Sequence, residues 1–172
     1  MKLVLIQSLG IWVLFIVLTI LYAGNGLAQV SGELGEMDRL EQQAEEAIAN
    51  GDPEGAALSI GKAALMANIL AQKEEHQQTR FLYQAAETLF RGQEQGYRAF
   101  ALFERAGGQP PASKGVCQYL SHAAEKVKQS KNDLKALEDF ANKPLRDRQQ
   151  RHIGKTQEWE RLLQGLQQDL SC

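Results

Sequence analysis

Tyr97-Arg98-Ala99-Phe100-Ala101-Leu102-Phe103-Glu104-Arg105-Ala106 is the stretch whose reading decides the fold. Ala99, Phe103 and Ala106 stand at i, i+4 and i+7, one stripe of a 3.6-residue helix. Small residues at both ends of that stripe admit a neighbouring helix, and Phe103 fills the space between them. One such helix cannot bury its face alone, so partners of the same design are expected elsewhere in the chain. Ala56, Ile60 and Ala63 repeat the spacing upstream, and Ala136 and Phe140 repeat it downstream.

A second helix with its own signature precedes each of the three. These read Leu40-x3-Ala44-x2-Ala47, Leu82-x2-Ala85-Ala86-x2-Leu89 and Leu120-x2-Ala123-Ala124-x2-Val127. Ala44 lies 12 residues before Ala56, Ala86 lies 13 before Ala99, and Ala124 lies 12 before Ala136. Turns are expected at Asn50-Gly51-Asp52-Pro53, Arg91-Gly92-Gln93 and Ser130-Lys131-Asn132-Asp133. In the first of them Gly51 suits a left-handed C-cap, Asp52 an N-cap and Pro53 the first helical position. The pattern predicts an all-α chain of antiparallel helical hairpins, stacked so that neighbours bury one another's faces.

The pattern resembles the tetratricopeptide repeat over roughly Asp38 to Pro144. Leu40, Ala44, Ala47, Ala56, Ile60 and Ala63 carry the first unit. Leu82, Ala86, Leu89, Ala99, Phe103, Ala106 and Pro111 carry the second, and Leu120, Ala124, Val127, Ala136 and Phe140 the third. The spacing departs from the family, at 43 and then 37 residues, against about 34. The longer-period Sel1-like branch is a near neighbour. The resemblance implies a solenoid of about three repeats over residues 36–155, with residues 156–172 as a C-terminal capping helix. It also implies a concave partner-binding surface from the first helix of each hairpin. That surface comprises Asp38, Glu41 and Glu45; Arg80, Tyr83, Glu87 and Arg91; and Gln118, His122, Glu125 and Lys128. Asp38 and Glu41 stand where the family's carboxylate clamp has basic and amide side chains. An extended peptide with basic residues near the first repeat is therefore the implied ligand.

At the amino terminus Met1-Lys2 precedes an apolar run from Leu3 to Ala23, followed by Gly26-Leu27-Ala28. Residues 1–28 thus read as an export signal with a small-x-small cleavage site, or as a retained membrane anchor. Residues 29–35 read as a short link. Either way the remainder is exported, to the periplasm or the exterior, or held on the inner membrane facing the periplasm. Membrane contact would then run through residues 3–23 if they are uncleaved. From Gln29 onward Ala, Gln, Glu, Leu and Lys dominate and Val and Ile are scarce, which is helix-forming material without a credible strand.

Charge is uneven along the chain. Ten acids between Glu33 and Glu75 face only Arg39, Lys62 and Lys73, whereas Lys143, Arg146, Arg148, Arg151 and Lys155 cluster around a single acid, Asp147. These are either two solvated faces or an acidic surface for a basic partner and a basic patch for an acidic one. With a net charge of −2 in an exported chain, nucleic acid is not an expected partner.

Cys117 and Cys172 are a disulfide candidate in an oxidising compartment. Cys117 also shares a face with Leu120, Ala124 and Val127, which suits a small buried residue, and a terminal Cys172 suits an intermolecular bond; the sequence leaves these open. His76, His122 and His152 are far apart, and no phosphate loop, CxxC or nucleophile elbow occurs. The expectation is a protein-binding module or scaffold of the cell envelope, without catalytic residues, metal or cofactor. The other readings are a membrane-anchored assembly factor and a peptidoglycan- or lipid-associated helical module.

Overall fold

The computed structural model describes residues 32–172, so the apolar run 3–23 and the site at 26–28 lie outside the described residues. Five helices account for nearly all of the rest: α1 (32–49), α2 (Pro53–Lys73), α3 (Gln77–Arg105), α4 (Lys114–Ala136) and α5 (Lys143–Asp169). There is no strand among the described residues.

The first hairpin forms as its turn chemistry dictates. Gly51 takes a positive φ of 74°, the Asp52 carboxylate accepts from the Gly55 amide at 2.8 Å, and Pro53 opens α2. Residues 32–35 belong to α1 rather than to a flexible link. Glu33 at the start of α1 pairs with Lys73 at the end of α2, as antiparallel neighbours allow.

The other two expected turns do not exist. Arg91-Gly92-Gln93 lies inside α3, and Ser130-Lys131-Asn132-Asp133 lies inside α4. Glycine in a helix interior costs about 1 kcal/mol, but here it creates room. A Cβ on Gly92 would stand 2.9 Å from Val127 Cγ2 and 3.2 Å from the Ala123 carbonyl of α4. Gly96 does the same for α5, where a Cβ would meet Trp159 Cζ3 at 2.5 Å. In α4 the Ser130 hydroxyl donates to the Ala85 carbonyl at 2.7 Å, so this polar residue joins two helices instead of breaking one. Leu134 directly after the supposed turn is fully buried.

Helix ends shift accordingly. Ala99 is buried, Phe103 is half-buried and Ala106 is the exposed C-cap of α3. Phe140 arrives from the loop after α4 and packs with Leu82, Ala85 and Leu134 in a satellite cluster. Pro144 opens α5 instead of ending a helix, with Asn142 as N-cap, so α5 has no boundary at residues 155–156.

Successive helices run antiparallel. Gly61 of α2 meets Glu94 and Asn68 meets Glu87 of α3, while Gln78 of α3 reaches the Glu138 carbonyl beyond α4. Lys131 of α4 pairs with Glu160 of α5. The last helix then returns to the first: Arg148 forms a two-pronged bond with Asp38, at 2.6 and 2.9 Å, and Lys155 binds Glu41 and Glu45 at 2.5 and 2.6 Å. An open stack of three hairpins would hold its ends apart. Here α5 packs against α3 and α4 and also reaches α1 through these ion pairs, so the first and last described helices meet. The core runs continuously from Met37 and Leu40 through Ala56, Ile60, Leu89 and Phe90 to Trp159 and Leu163.

Cys117 and Cys172 are joined, their Cα atoms 5.3 Å apart. The bond ties the end of α5 to the first turn of α4, beside the Ala112 amide that donates to the Leu170 carbonyl.

Candidate functional site

The residues expected on one concave surface fall into three separate settings. Asp38, Glu41 and Glu45 point at α5 and are engaged by Arg148 and Lys155, so the acidic stretch of α1 answers the basic stretch of α5 within one molecule. Burial opposes ionisation of Asp38, but the Arg148 hydrogen bond and the charges of Arg148 and Arg151 outweigh it and hold the carboxyl below its ordinary value. Burial likewise opposes the charge on Lys155, and Glu41 and Glu45 more than offset it.

The α3 set is largely committed to internal contacts. Tyr83 is buried, and burial raises its phenol above the ordinary range. Glu87 accepts from Asn68 at 2.8 Å, Arg91 pairs with Glu94 at 2.9 Å, and Arg80 donates to the Glu75 carbonyl at 3.2 Å. Only the α4 set, Gln118, His122, Glu125 and Lys128, is exposed throughout.

Behind the α1–α5 seam lies a buried aromatic cluster. Tyr97 meets Trp159 edge-on at 5.0 Å, and burial followed by the charges of Glu45 and Glu41 pushes its phenol up to about 12. His152 meets Phe90 edge-on at 5.8 Å, and neither ring nitrogen finds a partner among the described residues. Burial, then the neighbouring Arg148, Lys155 and Arg151, drives the imidazole down to about 3. It is a neutral core ring, unsuited to proton transfer near neutral pH.

The open face of the bundle carries a groove between α3 and α4. At one end Phe81, 44% exposed, stands with Ala85, Ala136 and Leu137 over a depression of about 490 Å³ edged by Gln84, Thr88, Gln129 and Asp133. An adjoining depression of about 460 Å³ shares Phe81, Ala136 and Leu137 and adds Gln77, Gln78 and Glu138. Farther along, Gln95, His122, Glu125, Lys126 and Gln129 line a third, of about 300 Å³. The groove therefore gathers His122 and Glu125 from the expected set, but places them beside residues the sequence pattern did not single out. Phe81 was the available signal, since it stands beside the inward stripe of Leu82, Ala85, Ala86 and Leu89 without belonging to it.

Such a groove offers one apolar anchor point, several amides able to donate and accept, and two acids at the anchor end. It offers no paired nucleophile and base. Among the described residues no three His, Cys, Asp or Glu side chains converge in a metal-binding arrangement, and no helix is long and apolar enough to cross a membrane. Comparison of the chain with family models, curated proteins and solved structures returns no match.

Proposed function

We propose that this chain is an exported helical module that binds a segment of another protein in the groove between α3 and α4. The observation that carries the reading is Phe81, a large aromatic left in water over two adjoining depressions between α3 and α4, while Phe90 and Tyr97 of the same helix are buried against α5. The segment would place one bulky apolar side chain against Phe81 and Leu137 and a basic residue beside Asp133 and Glu138. Backbone groups would meet the glutamine amides along the walls.

Export rests on two features of different kind, the apolar run 3–23 with its small-x-small site and the disulfide of a type that persists in oxidising compartments. The tetratricopeptide-like reading contributes the α1–α2 hairpin to this proposal and no more, because the groove is not built from the first helices of stacked hairpins.

A photoactivatable side chain at Gln84, compared with one at Gln150 on the far surface of α5, tests the assignment in intact cells. Capture of one defined partner from position 84 only, lost on Phe81→Ala, is the expected result. Equal labelling from both positions would remove the groove from consideration. The mass of the mature amino terminus decides the compartment: a chain starting at Gln29 matches a cleaved signal, and an intact residue 1 in the membrane fraction matches an anchor.

A further inference from the structure

α2 buries its alanine and glycine sides against its neighbours, yet its remaining face is not polar. Leu58, Lys62, Leu65, Ile69 and Gln72 follow one another at alternating steps of four and three, the seam spacing of a two-stranded coiled coil. Leu58 is 61% exposed, Leu65 54% and Ile69 36%, and this face shares no residue with the α3–α4 groove.

From this face we infer that the chain pairs with a second copy of itself, α2 against α2, antiparallel about a two-fold axis beside Ala63 and Ala64. That axis sets Leu58 opposite Ile69 of the second copy, Lys62 opposite Leu65, and Glu54 opposite Lys73, each contact occurring twice. The charges select this direction. Glu54 is held by Arg105 and Lys73 by Glu33 within one molecule, so antiparallel pairing produces a row alternating in sign, Arg105, Glu54, then Lys73 and Glu33 of the second copy. Parallel pairing in register would instead oppose Glu54 to Glu54, Lys62 to Lys62 and Lys73 to Lys73. Lys62 fits the antiparallel seam because its aliphatic stem covers Leu65 while its ammonium reaches water. A polar residue at one seam position is a known device for fixing register. Twenty-one residues rise only about 31 Å, too little for the roughly 800 Å² per partner of a stable interface, so the pair is weak and exchanges with monomer.

The test is site-directed crosslinking of the full-length chain, whose two native cysteines are joined to each other and leave new thiols unambiguous. With a short bifunctional thiol reagent, L58C/I69C should give a covalent dimer at least about tenfold more efficiently than L58C or I69C alone, since 11 residues separate like positions by about 16 Å along the axis. Leu65→Lys in that background, which sets a like charge against Lys62 of the second copy at both ends of the seam, should lower the yield by about tenfold. Glu54→Lys should lower it several-fold, and adding Lys73→Glu should restore it. Crosslinking of L58C alone as efficiently as the pair would establish a parallel dimer and overturn the proposal. So would a dimer indifferent to Leu65→Lys, or a chain that stays monomeric in solution and uses this face only on added lipid vesicles.

Discussion

Two helix contacts in this molecule solve the same problem with opposite chemistry. α2 packs into the core through side chains that scarcely exist: Ala56, Ala63, Ala64 and Ala67 are fully buried, and Gly61 receives the Glu94 side chain of α3, where a Cβ would lie 3.1 Å away. α1 meets α5 through long charged side chains, Asp38 to Arg148 and Glu41 and Glu45 to Lys155. Dispersion and apolar burial dominate the first contact and are not weakened by charge screening. The second depends on ionisation and is weakened by whatever screens or discharges it. The molecule is thus closed along a seam that salt can weaken, while the α2–α3 contact is set by packing.

The strongest test of that division concerns what else holds α5. Its first half carries the ion pairs, and its far end is fixed by the disulfide across 55 residues of sequence. Cys117→Ser with Cys172→Ser should lower unfolding stability by about 4 kcal/mol on the chain-entropy account. Urea titrations of the two forms measure the difference, and near equality would show that the α1–α5 pairs suffice to close the bundle.

Next in size is the acid response. His152 titrates at about 3 when folded, against an ordinary value of 6.5. Between those pH values the unfolded chain binds a proton that the folded chain does not, so stability is full above 6.5 and falls as pH drops towards 3. At pH 4 the loss is roughly 3 kcal/mol. Asp38, depressed by Arg148, adds a loss of the same sign at lower pH. Thermal unfolding of His152→Leu across pH 7 to 4 should show a flatter profile than the parent. An unchanged slope would place the acid sensitivity elsewhere in the seam.

Gly96→Ala probes a close-packed contact of the same kind, between α3 and α5. The added methyl meets the rigid Trp159 ring at 2.5 Å, so Trp159 or α5 must move, at a cost of roughly 1–3 kcal/mol. This loss should be the same at low and high salt. Arg148→Met sharpens the contrast from the charged side. Breaking a fully buried pair costs about 3–5 kcal/mol, but Asp38 is 46% exposed and partly resolvated, so about 1–2 kcal/mol is expected after that discount. Unlike the glycine variant, the difference from the parent should shrink as salt is raised. Equal salt dependence in the two variants would erase the distinction between the contacts.

The sequence read some parts of this protein well and misread others for one reason. At the α1–α2 turn, Gly51, Asp52 and Pro53 act within four residues of one another, and local chemistry was enough. At Gly92 the same reading failed, because glycine serves equally to end a helix and to admit a neighbour. Only Val127 and Ala123, some 30 residues away, decide between those uses. The acidic and basic stretches were both visible, but their meeting required α5 to lie beside α1, which no local pattern specifies. The groove was legible only in fragments: His122 and Glu125 stood out as polar positions on a helix, whereas Phe81 and Leu137 gain their role from being adjacent across α3 and α4.

By itself, then, the sequence determined an all-helical chain and the inward stripes from Leu40, Leu82 and Leu120, since helix propensity and 3.6-residue periodicity act over a few neighbouring residues. The number of helices, the contact of α5 with α1, the pairing of Cys117 with Cys172 and the open face between α3 and α4 were decided by the tertiary structure. Each of these depends on contacts between residues far apart in the chain, and small side chains permit several such arrangements until packing selects one.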